Sequence, residues 1–145
     1  LNIFCFDPHP DLNWAQKNNA HYTSLEDLIK QSDIITLHAS TNSLIIGSKE
    51  IALMKCTCII VNCARRKLVD NTAIYWAVRN EKIWGYGLDD EWLEKDLPIS
   101  NLNIILSPHI GSDTDLGNES MRVMSVEAVN DYIHGNSPKN IVNKR

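Results

Sequence analysis

The chain contains few of the residues that mark specialised classes of protein. Its 145 residues include only 6 glycines and 5 prolines, which excludes collagen-like and low-complexity sequences. No apolar run approaches the roughly 18 residues that a membrane-spanning helix needs. No signal peptide is recognisable, and the formal net charge of -4 gives no electrostatic reason to expect nucleic acid or an anionic membrane as a partner. We therefore expect a cytoplasmic protein that binds neither.

Cysteine is also sparse, and its pattern argues against structural bridges and metals. The four cysteines, which lie in or beside apolar runs, are Cys5, Cys56, Cys58 and Cys63. A domain of this length does not need disulfides for stability, so we expect buried, reduced thiols. No histidine or further cysteine pair at zinc spacing accompanies Cys56 and Cys58, and we therefore expect no metal site.

What the chain does contain is a series of short apolar runs that alternate with amphipathic segments. The predicted strands are residues 1–6, 34–37, 58–61, 83–88 and 104–106, and the predicted helices begin at Ser24, Ser48, Asp70 and about Glu119, the last ending near His134 with Gly135 as its cap. These strands lack inside–outside alternation, which is typical of a parallel sheet covered by helices on both faces. The predicted fold class is therefore α/β with a doubly wound parallel sheet.

Three chemically capable side chains follow the ends of predicted strands: Arg65, Glu94 and His109. Because ligands bind outside the carboxyl ends of strands in an open parallel sheet, we expect these groups to face one crevice. A guanidinium can hold a substrate carboxylate bidentately, and an imidazole can exchange a proton at neutral pH. The trio predicts an enzyme active site. Taken singly, the same residues also fit a solvated basic loop or phosphate contacts, a structural histidine and a solvated acidic loop.

Asp7 stands at the end of the first predicted strand, just before Pro8. A carboxylate in such a position accepts hydrogen bonds from ribose hydroxyls and repels a 2′-phosphate, which favours NAD over NADP. An Asp-Pro turn that merely closes a strand is the alternative. The glycine-rich phosphate loop that would decide between them is absent from the 145 residues, and we expect it upstream of Leu1.

Several motifs, in the same order, resemble the D-isomer-specific 2-hydroxyacid dehydrogenases. They are Asn62-Cys63-Ala64-Arg65, Leu68-Val69-Asp70, Gly87-Leu88-Asp89 with Glu94 five residues later, and Ser107-Pro108-His109-Ile110-Gly111. The similarity extends from Asp7 to about Asn143. Within the family, the Pro108 to Gly111 segment is most similar to the D-3-phosphoglycerate dehydrogenases.

This resemblance implies a Rossmann-like NAD-binding domain truncated at its N-terminal βα unit, with residues 1–145 as its C-terminal portion and with the glycine-rich loop and the substrate domain absent. It implies NAD-dependent interconversion of D-2-hydroxy and 2-oxo acids, in a homodimer at full length. Arg65 would hold the substrate carboxylate, His109 would transfer the proton, and Glu94 would pair with His109. The residues implied to contact NAD are Asp7, Leu37, His38, Cys63, Ala64, Arg65, Asp89, His109 and Gly111.

The chain departs from the family pattern beside these residues, and one departure is a loop after His38 that is about three residues shorter than usual and lacks the typical proline. Arg66 and Lys67 stand where the family usually has two glycines, and Lys95 replaces the proline that usually follows Glu94. The two cations would either crowd the nicotinamide pocket or receive an anionic group such as phosphate. We expect the isolated chain to be inactive and to show no saturable NADH binding. The alternatives are a non-catalytic, corepressor-like member that senses NAD, and an inactive fragment.

Overall fold

A computed structural model describes residues 1–141 of the chain. The chain forms two compact units, Leu1–His109 and Ile110–Arg145. Asn143, where the family resemblance was expected to end, lies outside the described residues. All the predicted catalytic residues belong to the first unit, whereas Gly111 belongs to the second.

The first unit is built from parallel strands and short helices. Its strands are β1 (Ile3–Cys5), β2 (Ala20–Tyr22), β3 (Ile34–Leu37), β4 (Ile59–Asn62), β5 (Gly85–Asp89) and β6 (Ile104–Ser107), and its helices are α1 (Leu12–Lys17), α2 (Leu25–Gln31), α3 (Ser48–Leu53) and α4 (Asn71–Arg79). Strands β1 and β2 pair in a small parallel sheet, and the other four form a parallel sheet in the order β3-β4-β5-β6. The predicted α/β fold with parallel strands is confirmed.

Helix starts followed the capping signals in the sequence. Ser24 caps α2 by accepting the Asp27 N–H at 3.1 Å, and Asp70 caps α4 by accepting the Ala73 N–H at 3.0 Å. The sequence predicted no helix or strand between Asp7 and Ser24, and this was wrong, because α1 and β2 both lie there. Asp11 caps α1, but six helical and three strand residues are too few to give a clear periodic signal.

The core lies on one face of the four-stranded sheet. Ile35, Ile60, Tyr86 and Ile104 are register partners on adjacent strands, and all four are buried. Ile51 of α3 and Ile74 of α4 belong to the same core cluster. This burial of apolar surface is the main force that holds the strands and helices of the unit together.

The opposite face of the sheet is more open. Ile34 on β3 is 64% exposed and Ile105 on β6 is 76% exposed, whereas their neighbours Ile35 and Ile104 are buried. The strand order explains why one face of the sheet is more exposed than the other. The four strands lie across the sheet in chain order, and right-handed crossovers that all advance in one direction place the connecting helices on the same face.

The cysteines only partly follow the prediction. All four are free, and Cys58 is buried, with burial raising the pKa of its thiol to about 11. Cys56 and Cys63 are exposed, contrary to the expectation of buried thiols, because one lies in the turn before β4 and the other just beyond its end. Among residues 1–141, no group of histidine, cysteine or acidic side chains is arranged to hold a metal ion.

The second unit contains one long helix, α5 (Asp115–Ile133). It begins four residues before the predicted start at Glu119, because the Thr114 side chain accepts the Gly117 N–H at 3.0 Å. Its end is as predicted: Gly135 has φ +73°, and the N–H groups of Gly135 and Asn136 bond to the carbonyls of Tyr132 and Asp131. None of its residues is buried within the described structure, and no described helix is long and apolar enough to cross a membrane.

Candidate active site

The carboxyl ends of the four paired strands meet at one edge of the sheet. The in-register partners Leu37, Asn62, Leu88 and Leu106 lie near the ends of β3, β4, β5 and β6, and all strand pairs are parallel. The loops that follow β4, β5 and β6 carry Arg65, Glu94 and His109. The prediction that strand ends bring these loops to the same edge is therefore confirmed by the topology.

Asn62 fixes the loop that carries Arg65. Its side chain is fully buried, its Nδ2 donates to the Arg65 carbonyl at 2.9 Å, and its Oδ1 accepts the Ala64 N–H at 3.1 Å. The Arg65 side chain is exposed, and its Nη1 donates to the Ala64 carbonyl at 2.7 Å. A buried amide thus holds the backbone of the loop while the guanidinium remains accessible to an anion.

Tyr86 extends this buried polar network beneath the loop. Its hydroxyl donates to Oδ1 of Asn71 at 3.3 Å and lies 3.5 Å from Nδ2 of Asn62. Burial raises the pKa of Tyr86 to about 12; the hydrogen bond from Asn62 opposes this rise, and the charges of Glu94 and Asp90 add to it. The hydroxyl therefore stays protonated at neutral pH and serves to position the network.

Asp90 connects the Arg65 loop with His109. Its Oδ2 accepts the Arg66 backbone N–H at 2.9 Å, its Oδ1 accepts the Glu91 N–H at 2.9 Å, and Oδ1 lies 4.0 Å from Nδ1 of His109. Burial raises the pKa of Asp90, but these two backbone donors and the charges of His109 and Arg66 outweigh it, so the net pKa lies below its ordinary value. The carboxylate is therefore ionised at neutral pH.

His109 adopts an unusual backbone conformation directly after β6. Its φ is +57°, in the left-handed region, and its N–H donates to the Ser107 carbonyl at 2.9 Å across Pro108. Such strain at a non-glycine residue is concentrated at functional sites and costs about 1–3 kcal/mol. The side chain is 53% exposed. The tight turn thus presents an accessible imidazole with Nδ1 toward Asp90.

Glu94 has a different partner from the one expected. Its Oε1 lies 3.0 Å from Nη2 of Arg66, and its Oε2 accepts the Leu93 N–H at 3.1 Å. Within the described structure, the carboxylate that faces His109 is therefore that of Asp90. The physical reason is the long side chain of Arg66, which stands where a glycine was expected and reaches Glu94. The sequence predicted that Arg66 would either crowd the nicotinamide pocket or receive an anionic group, and this ion pair with Glu94 is neither outcome.

The residues implied to contact a dinucleotide lie mainly beyond strand ends. Asp7 is exposed and accepts the His9 N–H at 2.7 Å, and His38 is exposed with Nε2 2.8 Å from the Thr36 hydroxyl. Cys63 is exposed, Leu37 and Ala64 are buried, and Asp89 accepts the Ser107 hydroxyl at 2.6 Å. Gly111 is exposed in the second unit. Polar side chains beyond strand ends fit the ribose hydroxyls of NAD.

Sequence reasoning did not assign a role to three residues that shape this site: Asn62, Tyr86 and Asp90. Asn62 had a usable signal, because an amide that directly follows three apolar strand residues must find partners when the strand is buried. Asp90 had none, since it is one of five acidic residues between positions 89 and 96. Together, the site offers an accessible cation for an acidic ligand and a proton donor beside a carboxylate.

Comparisons with known proteins agree with these observations. Residues 1–111 match the family model of the D-isomer specific 2-hydroxyacid dehydrogenase NAD binding domain. D-3-phosphoglycerate dehydrogenase of Methanocaldococcus jannaschii is 35% identical over 99% of this chain and 29% of its own length. Glyoxylate reductase of Thermococcus litoralis is 35% identical over 86% of this chain and 40% of its own length.

Solved structures give the same picture. D-lactate dehydrogenase from Escherichia coli aligns with a TM-score of 0.86 and 25% identity over 99% of this chain and 47% of its own. The Aquifex aeolicus D-lactate dehydrogenase, complexed with NAD and lactic acid, aligns with a TM-score of 0.81 and 30% identity over 94% of this chain and 47% of its own. The chain therefore spans less than half the length of these relatives. It belongs to the D-isomer specific 2-hydroxyacid dehydrogenase family, through that family's NAD-binding domain.

Proposed function

We propose that the protein is an NAD-dependent oxidoreductase that interconverts D-2-hydroxy acids and 2-oxo acids. The observation that carries the proposal is the placement of an exposed imidazole beside an ionised carboxylate that also binds the loop of the exposed Arg65. A reaction that moves a proton on an acidic substrate needs these groups in one place. The family membership supports the same reaction class.

In this proposal each residue has a separate task. Arg65 binds the substrate carboxylate through its guanidinium fork, and Asn62 holds the loop from which it projects. His109 donates a proton to the carbonyl oxygen during reduction and removes it during oxidation. NAD, when bound, supplies or accepts the hydride at the substrate carbon. The residues of the first unit that would hold it are Asp7, Leu37, His38, Cys63, Ala64 and Asp89, alongside Arg65 and His109.

We also propose that the 145 residues are the C-terminal portion of a dinucleotide-binding domain. Among the described strands, β1 pairs only with β2, and β3 pairs only with β4, so each keeps an unpaired edge. Unpaired strand edges favour the addition of a further strand. One parallel strand supplied from outside these residues, together with a glycine-rich loop after it, would join the two sheets and complete the phosphate site.

A reductase assay tests the function. The protein at its full natural length is mixed with NADH and glyoxylate, hydroxypyruvate or phosphohydroxypyruvate, and NADH oxidation is followed by absorbance. We expect turnover with at least one of these 2-oxo acids. His109→Ala is expected to lower kcat by about 100-fold or more, and Arg65→Ala to raise KM, while Lys17→Ala on α1 serves as the matched surface control. Unchanged kinetics in the first two variants would refute the assigned roles.

The alternative is a non-catalytic, NAD-sensing member of the family, which the Arg66–Glu94 pair favours because it withdraws Glu94 from His109. Saturable NADH binding without turnover on any of the three 2-oxo acids would support this alternative. The isolated 145 residues are expected to show no saturable NADH binding, because they contain no Gly-x-Gly-x-x-Gly segment. Micromolar binding by the isolated chain would contradict that expectation.

We propose a cytoplasmic homodimer as the working form of the full-length protein, with no nucleic acid or membrane partner. The net charge of -4 supports the absence of an electrostatic attraction to those anionic partners. Sedimentation velocity at micromolar concentration measures the oligomeric state directly. A species at the monomer mass across that range would overturn the dimer.

A further inference from the structure

We propose that Asp90, rather than Glu94, is the carboxylate that positions His109 in this protein. The inference rests on the proposed oxidoreductase function and concerns the same site. It starts from two neighbouring facts: Asp90 lies 4.0 Å from His109, and Glu94 is bound to Arg66.

Glu94 is held away from His109 by contacts to both of its oxygens. Nη2 of Arg66 binds Oε1 at 3.0 Å, and the Leu93 N–H binds Oε2 at 3.1 Å. The Arg66 and Glu94 side chains are only 27% and 18% exposed, so water competes weakly for the pair. The backbone of Glu94 is tied as well, because its carbonyl accepts the Trp92 indole N–H at 3.1 Å. Moving Glu94 to His109 would break these bonds.

Asp90, by contrast, is fixed beside His109 by the backbone. The N–H groups of Arg66 and Glu91 each donate to one oxygen of its carboxylate at 2.9 Å. The same carboxylate therefore binds the backbone of the Arg65 loop and also lies beside the imidazole of His109. Its side chain is 19% exposed, whereas that of His109 is 53% exposed, so the imidazole faces both the carboxylate and solvent.

The distance of 4.0 Å between Oδ1 of Asp90 and Nδ1 of His109 is too long for a hydrogen bond. Catalytic hydrogen bonds are often long before substrate binds and shorten in the complex. With Nδ1 toward Asp90, Nε2 is the nitrogen left to exchange a proton with the substrate oxygen. Asp90 is thereby placed to accept the Nδ1 proton and to fix the orientation of the ring.

The charged groups that act on Asp90 are His109 and Arg66, and the Asp90 charge in turn raises the pKa of Tyr86. The pairing also acts on the carboxylate, because the charge of His109 lowers the pKa of Asp90. That effect can be measured on Asp90 itself without any turnover. The measurement separates failure of this inference from failure of the proposed function.

The first experiment follows the side-chain carboxyl ¹³C resonance of Asp90 against pH in the 145-residue chain. We expect the His109→Asn variant to raise the pKa of Asp90 toward the ordinary aspartate value, and the exposed β2 residue variant His21→Asn to leave it unchanged. Both variants leave the Asp90 side chain intact, and amide spectra verify that they are folded. An Asp90 titration that His109→Asn does not move, with the Glu94 resonance responding instead, would overturn the inference.

The second experiment measures kcat/KM for 2-oxo acid reduction in the full-length protein. We expect Asp90→Asn to lower kcat/KM by up to about 100-fold, which is the lower range of general acid–base contributions. Asp90→Glu is expected to recover part of the loss, and Glu94→Gln to cause a smaller loss than Asp90→Asn. Asp96→Asn, an exposed change in the same loop, is the matched control. A larger loss from Glu94→Gln would identify Glu94 as the positioning residue instead.

Discussion

Replacing Asn62 with alanine gives the most direct test of how the Arg65 loop is held. Asn62 is fully buried at the end of β4, and its amide bonds to both Ala64 and Arg65. In Asn62→Ala, the Arg65 carbonyl keeps a second donor, the Leu68 N–H at 3.1 Å, but the buried Ala64 N–H loses its side-chain acceptor. Asn62→Ala therefore leaves the Ala64 N–H unpaired and removes one of the two hydrogen bonds to the Arg65 carbonyl.

The magnitude follows from these two groups. An unpaired buried donor costs about 1–3 kcal/mol, and loss of an ordinary hydrogen bond costs about 1 kcal/mol. We therefore expect Asn62→Ala to lower the free energy of unfolding by about 2–4 kcal/mol. The matched control is Asn103→Ala, which removes an exposed amide that donates to the Trp84 carbonyl at 3.0 Å. A surface change of that kind costs about 0.5 kcal/mol or less.

Urea unfolding followed by tryptophan fluorescence is the appropriate measurement. All four tryptophans, Trp14, Trp76, Trp84 and Trp92, lie in the first unit, so the signal reports on that unit alone. Linear extrapolation gives the free energy of unfolding for each variant. A difference between Asn62→Ala and Asn103→Ala of less than about 0.5 kcal/mol would refute the hydrogen-bond accounting.

Three further predictions concern the charged and titratable groups around the same loop. Arg66→Ala should cost about 1 kcal/mol in urea unfolding by leaving the largely buried Glu94 carboxylate without its cation, whereas the exposed Lys67→Ala should cost almost nothing; equal losses would contradict the pairing. The lowered pKa of Asp90 contributes stability above the unfolded-state aspartate pKa, and this contribution disappears as the pH falls through the folded-state value. Asp90→Asn should therefore flatten the acid side of the stability–pH curve, and an unchanged slope would count against it. Because burial raises the pKa of Tyr86 to about 12, its contribution is complete below about pH 10 and disappears as the pH rises through about 12. Tyr86→Phe should remove that part of the alkaline decline in unfolding free energy, and a wild-type decline in the variant would exclude Tyr86 as its source.

Much of the architecture was predictable because it depends on local signals. Ser24 and Asp70 identified helix starts, since a side chain that accepts a backbone N–H three residues later is a short-range interaction. Gly135 identified the end of α5, because the required left-handed conformation favours glycine. By contrast, α1 and β2 were missed, since six and three residues are too short to show a period.

The features of the site also divide into those that the sequence predicts and those that depend on the folded structure. Parallel strands bring their carboxyl ends to one edge, so the order of the motifs predicted that the loops of Arg65 and His109 lie there. The positive φ of His109 and the buried amide of Asn62 were not predicted, because both depend on how the loops close over the core. The burial of Cys58 and the exposure of Cys63 also follow from the position of each residue relative to the strand end.

The sequence by itself determined the family, the parallel α/β arrangement and the strand ends that carry the chemistry, because these follow from local propensity and from motif order. Only the tertiary structure decided which carboxylate meets His109. The loop after β5 offers several acids within a few residues, and their partners depend on distances set by other loops. Arg66, 28 residues away in sequence, binds Glu94, and its backbone N–H fixes Asp90. Which side chains pair over so many residues depends on the relative free energies of alternative folded arrangements, and no local sequence pattern encodes it.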